Sequence, residues 1–423
     1  MTNESSFQAA LENHEAGKLE EAEHIYREIL EVEPENAHVL HFLGILLFQK
    51  KDYEQAVEMI KKAIQIDPGN EDQYYNLASI LQDIGELDEA IKYYQKVIEI
   101  NPGLADTYNS LGVVLRKKGQ IDDAINHFRK ALQLNPNLAM THLNLGYELQ
   151  QKGQLDEAIT CYKKAIEIKP DFDDAHYNLG VVLQAQGRLD DALLSYYKVL
   201  HHNPGNADVH NNIGIIFQAK GQLDGAAASF RNALEINPGL AYVWSNLGNA
   251  LHDKGGLEDA IICYQKAVEI DPKLFQTYYD LGNALKEEGK TDEAISSYDR
   301  TLELKPDLFK ARWARCMANL PVVYPNQSSI EETRTLYFEE LLKLERNLSF
   351  ETAEKIDAAA EAVGSHQTFY LAAQGLDDRE LQKRYGQMVC KIMAAKYPQW
   401  AEILAMPPVF SGEPIRIGIV SGH

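Results

Sequence analysis

Along most of the chain, apolar and small residues recur at helical spacing, and that pattern itself repeats. Prolines fall at Pro34, Pro68, Pro102, Pro136, Pro170, Pro204, Pro238, Pro272 and Pro306, 34 residues apart each time with no insertion. Ahead of each stands an alanine, at Ala22, Ala56, Ala90, Ala124, Ala158, Ala192, Ala226, Ala260 and Ala294. One helical turn later comes a bulky side chain: Tyr26, Ile60, Tyr94, Phe128, Tyr162, Tyr196, Phe230, Tyr264 and Tyr298. A third row is small, with Gly44, Ala78, Gly112, Gly146, Gly180, Gly214, Gly248 and Gly282, which lets two helices approach closely. A fourth row, Gly17, Gly85, Gly119, Gly153, Gly187, Gly221, Gly255 and Gly289, suits a helix C-cap or a tight turn between helices, and Lys51 replaces it once. Each unit therefore reads as helix A, a glycine turn, helix B and a proline exit, as in "ADTYNSLGVVLRKKGQIDDAINHFRKALQLNPNL" at residues 105–138.

A single αα-hairpin cannot bury its apolar stripe, so each unit needs the next, and stacking places helix A along one concave surface. The spacing and the small and aromatic signature resemble the tetratricopeptide repeat, with nine repeats over residues 3–308. The first unit, with Phe7, Ala10 and Leu11, is the least regular, as expected of a terminal cap facing water.

After Pro306 the period stops. Residues 309–405 begin like a tenth helix A around Ala311, Trp313 and Cys316, but Pro321 and Pro325 prevent a normal helix B. A helix opening on the capping box Ser328 and Glu331 follows, then two segments that end on glycine, and then a longer amphipathic helix halted before Pro398. This block reads as a helical adaptor. Residues 406–423 read as a Pro-Gly linker and a strand, because Ile415, Ile417, Ile419 and Val420 are apolar and β-branched. The expected fold class is all-α: a tetratricopeptide-repeat αα-superhelix, a non-repeat helical adaptor and one orphan terminal β-strand.

Charge narrows the partners. With 41 Lys and Arg against 63 Asp and Glu, the net charge of -22 disfavours nucleic acid and anionic membrane surfaces. No apolar run of about 18 residues is present to span a bilayer, and the residues at the start lack the basic and apolar regions of a signal peptide. A cytoplasmic protein is expected. Cys161, Cys263, Cys316 and Cys390 are widely spaced, which fits reduced and mostly packed thiols rather than a metal or disulfide framework. No Walker loop, GxSxG or HExxH is found.

Because the period never slips, equivalent positions of helix A form rows. Counting Ala105 as the first position, the sixth carries Phe42, Asn76, Ser110, Asn144, Asn178, Asn212, Asn246 and Asp280. A series of amides offers paired donors and acceptors to the backbone of an extended peptide, so Asn76, Asn144, Asn178, Asn212 and Asn246 are candidate peptide-binding residues. The competing role is local packing between repeats. The second position supplies Asp72, Asp106, Asp174 and Asp208, which complement the helix dipole and would attract basic or hydroxyl-bearing segments. Neither these rows nor the fifth position holds Lys or Arg, which argues against the carboxylate clamp of some tetratricopeptide modules. His201 and His202 read as solvated or capping residues and His127 as a packing residue, not metal ligands.

The repeats, the adaptor, the linker and "IRIGIVSGH" together resemble the amino-terminal half of a bacterial O-linked N-acetylglucosamine transferase carrying such repeats. The resemblance implies that the terminal strand opens the first of two Rossmann-like lobes that use UDP-GlcNAc as donor, and that the asparagine row contacts protein substrates. Those lobes are not in this sequence, so no catalytic or cofactor-binding residue is assigned, and the chain alone is expected to be inactive. Two expectations follow: a substrate-binding repeat arm of a protein O-glycosyltransferase-like polypeptide, or a non-enzymatic tetratricopeptide scaffold for protein-protein interaction.

Overall fold

A computed structural model describes residues 3–320, 327–365 and 379–400. Among the described residues all regular structure is helical. The expected terminal strand, with its linker at 406–423, lies outside them.

The A helices are α1 (Asn3–Glu15), α3 (Ala37–Gln49), α5 (Glu71–Asp83), α7 (Ala105–Lys117), α9 (Ala139–Gln151), α11 (Asp173–Ala185), α13 (Ala207–Ala219), α15 (Ala241–Asp253) and α17 (Phe275–Glu287). The B helices are α2 (Leu19–Val32), α4 (Tyr53–Ile66), α6 (Leu87–Ile100), α8 (Ile121–Leu134), α10 (Leu155–Ile168), α12 (Leu189–His202), α14 (Leu223–Ile236), α16 (Leu257–Ile270) and α18 (Thr291–Leu304). Four more follow: α19 (Phe309–Ala318), α20 (Gln327–Arg346), α21 (Ala353–Ser365) and α22 (Arg379–Lys396), with a 3-10 turn at Pro398–Trp400. The fold class is thus all-α, built from tetratricopeptide-type αα-hairpins.

The sequence rows become the joints of each hairpin. At Gly119 the chain turns left-handed, with φ of 78°. This lets the Gln120 N–H donate to Leu115 O and the Gly119 N–H to Arg116 O, both at 2.9 Å, which satisfies the last carbonyls of α7. Within each hairpin the small row faces the bulky row. A Cβ placed on Gly112 would stand 2.6 Å from the Phe128 ring, so only a residue without one fits there undisturbed. The alanine row is fully buried, from Ala22 to Ala294.

Two compact units divide between Val209 and His210, inside α13. In the first unit each B helix packs on the A helix after it, α2 on α3 and so on to α10 on α11. The second unit repeats this from α14 on α15 to α18 on α19, so α19 occupies the place of a tenth helix A. Beyond α19 the packing changes. Trp313 and Met317 of α19, Tyr337 and Leu341 of α20, Ala359 of α21, and Met388 and Ile392 of α22 share one buried cluster. Arg315 of α19 bridges Asp299 of α18 and Glu340 of α20. The expected adaptor therefore has its own core. Its second helix is described from Gln327, within a residue or two of the start expected from a cap at Ser328. The second segment expected to end on glycine, Ser365 to Gly375, lies outside the described residues from 366 onward.

Candidate functional site

The asparagine row does not stand as a set of equal, solvated amides. Neighbouring A helices are staggered so that the sixth position of one repeat meets the fifth position of the repeat before it. Asn76 Nδ2 lies 2.9 Å from His41 Nε2, which requires that ring nitrogen to be an unprotonated acceptor. Ser110 Oγ lies 3.0 Å from Tyr75 Oη. Asn144 Nδ2 donates to Asn109 Oδ1 at 3.2 Å, and Thr141 Oγ1 donates to the same oxygen at 3.0 Å. In the second unit Asn246 Nδ2 donates to Asn211 Oδ1 at 2.9 Å, and Asn211 Nδ2 donates to Asn212 Oδ1 at 3.4 Å. All but the last, which lies within α13, are rungs of a polar ladder between successive A helices. They commit polar groups on both partners and tie repeat to repeat.

Burial grades what remains. Asn144 is almost fully buried, and its Oδ1 also accepts from Arg116 Nη1 at 3.2 Å, so both ends of its amide are used. Asn76, Asn178, Asn212 and Asn246 are half-buried. Asn178 differs from the others. The fifth position before it is Leu143, which offers no acceptor, and Asn178 makes no side-chain hydrogen bond among the described residues. Of the five candidates it is the one whose donor and acceptor the ladder leaves unused.

A residue absent from the sequence candidates lies beside Arg116, the partner of the Asn144 amide. Glu148 occupies a column that elsewhere reads Leu46, Ile80, Val114, Val182, Ile216, Ala250 and Ala284, and it is only 1% exposed. Burial raises its carboxyl above the usual range, against the pull of Arg116. The Arg116 Nη1 contact at 3.7 Å is too long for a hydrogen bond and leaves Glu148 Oε1 without one. A polar residue in an otherwise apolar column was the signal available.

In the second unit the same helix face opens into a cleft of about 420 Å³ lined by Gln218, Asn249, His252, Asp280 and Asn283, among others. The tyrosines of the bulky row reach it from below: Tyr264 and Tyr298 donate to Asn249 Oδ1 and Asn283 Oδ1, each at 2.8 Å. Burial raises the Asp280 carboxyl, while the Gln276 hydrogen bond, Lys310 and His252 oppose the shift. Burial also pushes the Lys286 ammonium down to about 8. The cleft is polar and carries carboxylate, amide and imidazole groups. Among the described residues no group of three or more His, Cys, Asp or Glu is placed to hold a metal.

The remaining chemical suspects take structural roles. His202 Nδ1 meets Asp173 Oδ1 at 2.9 Å, and His127 Nδ1 meets the Asp123 carbonyl at 2.9 Å. All four cysteines are free: Cys263 and Cys316 are buried, Cys161 is half-buried and Cys390 is exposed. Burial raises the Cys161 and Cys263 thiols to about 11, so neither is a ready nucleophile. No described helix is long and apolar enough to cross a membrane.

Family models of the tetratricopeptide repeat match residues 146–187, 216–255 and 248–289, 73–137, 127–160, and 173–206 and 275–308. A model of subunit 3 of the anaphase-promoting complex, or cyclosome, matches residues 15–97. None of the matching family models describes a glycosyltransferase. No curated protein matches the chain. Among solved structures, YrrB, a tetratricopeptide-repeat protein with an unusual peptide-binding site, is 28% identical; the match covers 47% of this chain and 99% of YrrB, with a TM-score of 0.41. The C-terminal part of a repeat-containing protein from Cytophaga hutchinsonii is 16% identical over 57% of this chain and 99% of its own, with a TM-score of 0.49. The pilF protein of Pseudomonas aeruginosa is 22% identical over 53% and 97%, with a TM-score of 0.42.

Proposed function

We propose, on the premise that this chain carries an array of tetratricopeptide repeats, that it is a scaffold that binds extended segments of other proteins along the concave face formed by its A helices, in the cytoplasm. The observation that carries this reading is the half-buried amides that the A helices hold in each unit: Asn178 in the first, which no rung engages, and Asn212 and Asn246 in the second, which the ladder fixes. A fixed amide pairs with a peptide N–H and C=O while ignoring most side chains, which suits a binder of varied partners. The acidic balance favours neutral or basic segments.

The test is capture of an immobilised set of extended peptides by the purified chain and by Asn178→Ala/Asn212→Ala/Asn246→Ala, with circular dichroism confirming that both are folded. Capture should fall at least about tenfold, the loss expected for a few peptide hydrogen bonds. Equal capture by both proteins refutes the role of the row.

A second reading, the substrate-selecting arm of a protein O-GlcNAc transferase-like polypeptide, rests on the sequence of residues 406–423 and on the adaptor ahead of it. UDP-GlcNAc would then be the donor substrate of lobes beyond His423. A parent polypeptide extended past His423 that fails to turn over UDP-GlcNAc on serine-containing peptides would remove this reading.

A further inference from the structure

One A helix in the first unit breaks the polar character of the face. In α9 the second, fifth and ninth positions are Met140, Leu143 and Tyr147, where α7 has Asp106, Asn109 and Val113 and α11 has Asp174, Tyr177 and Val181. The three lie at i, i+3 and i+7, on one side of the helix. Met140 is 54% exposed and Tyr147 42% exposed, while Leu143 packs on the cluster of Ala165, Phe172 and Ala175. The strip is therefore an apolar seat with a half-buried floor at Leu143 and two exposed walls, the Tyr147 wall carrying the Arg116 guanidinium 6.0 Å from its ring centre. Leu143 is also the residue that breaks the ladder and leaves the Asn178 amide unused, so an apolar surface and an uncommitted hydrogen-bonding pair arise together from one substitution.

Charge frames the seat on both sides. Asp106 of α7 and Asp174 of α11 are exposed and stand at the position that Met140 holds in α9. Packed helices lie about 10 Å apart, and a chain in the polyproline II conformation advances about 3.1 Å per residue and returns every third side chain to the same side. A segment of that conformation crossing α7, α9 and α11 would thus present one side chain to an A helix roughly every three residues.

We propose that this part of the face is the specificity-determining subsite of the peptide groove, taking a peptide in the polyproline II conformation with one apolar side chain flanked three residues away on each side by Lys or Arg. The proposal rests on the peptide-binding reading above. The apolar side chain lies on Met140, Leu143 and Tyr147, the flanking cations face Asp106 and Asp174, and the Asn178 amide pairs with the backbone between them.

The test uses the full chain and fluorescence anisotropy of a labelled peptide, Gly-Lys-Ser-Gly-Leu-Ser-Gly-Lys-Gly. Two companion peptides replace the Leu by Ser or both Lys by Ser. Each replacement should weaken binding by about tenfold or more, the effect of withholding one buried leucine or a pair of matched charges. Added salt should weaken the Lys-containing peptides and spare the one without Lys. Met140→Ser/Tyr147→Ser, both exposed changes that leave the buried core intact, should reduce affinity for the Leu peptide to that for its Ser companion. Equal binding of the Leu and Ser peptides overturns this proposal and leaves the general reading standing. No binding by any of the three overturns both. If the double variant changes sedimentation of the chain instead of peptide affinity, the seat is covered by a second copy and the proposal fails.

Discussion

Among the described residues, Lys51 is the one non-glycine with a left-handed backbone, φ of 65°. It stands where the other hairpins have glycine, and it closes α3 in the same way: Asp52 N–H donates to Leu47 O and Lys51 N–H to Phe48 O, both at 2.9 Å. A side chain in this conformation costs about 1–2 kcal/mol from the Cβ clash. Glycine relieves the clash but loses about 0.5–1 kcal/mol more backbone entropy on folding. The balance for Lys51→Gly is a gain of about 0.5–1 kcal/mol, a roughly two- to fivefold drop in the population of the locally opened hairpin. Gly119→Lys is the reverse experiment, since nothing lies within 4 Å of a Cβ built there and backbone conformation alone is perturbed. Repeat arrays open locally rather than all at once, so the assay is native-state hydrogen exchange followed segment by segment. Exchange should slow across α3 and α4 in Lys51→Gly and quicken across α7 and α8 in Gly119→Lys. Unchanged or faster exchange in the first variant refutes the strain assigned to Lys51.

Two further outcomes follow from contacts already described. Gly180→Ala would put a Cβ 2.6 Å from the ring of Tyr196, which is fully buried, and should destabilise by about 1–3 kcal/mol in urea unfolding; a loss below about 0.5 kcal/mol would mean that the hairpin absorbs the methyl group by shifting. His41 is held neutral by burial, which lowers its pKa below the ordinary 6.5, with the nearby Asp72 opposing and His38 reinforcing the shift. The folded state then binds fewer protons than the unfolded one, so the stability linked to His41 is present above the ordinary value and declines as the pH falls through it. The urea midpoint should drop on mild acidification, and His41→Asn should flatten that part of the pH profile; an unaltered profile would assign the drop to other groups.

Much of the fold is legible in the sequence because each row of letters has one physical job. Gly119 and its equivalents end helices, Gly112 and its equivalents admit a ring, and Pro136 and its equivalents close the unit. Even the exception holds, since Lys51 adopts the glycine conformation when the hairpin around it demands it. The adaptor helices were marked by Pro321, Pro325 and Pro398, but the shared core of Trp313, Tyr337 and Met388 was not, because no period relates those positions. The site was legible as a row and illegible as a ladder. Asn109 with Asn144, and Asn211 with Asn246, are separated by one residue more than the repeat, a stagger set by how helices nestle and invisible in any single column. Two columns compared at that offset would have paired them, and would have isolated Leu143 beside Asn178.

The offset also makes the array editable in a particular sense. Every rung between helices described here joins one repeat only to its immediate successor, so excising residues 139–172 would remove one whole unit of 34 residues without disturbing the register on either side. Asn178 would then stand behind Asn109 in place of Asn144, and the amide now left idle would acquire a ready-made acceptor. A single recombination event between neighbouring units could thus exchange a spot of recognition for a spot of cohesion, with no point mutation at either residue.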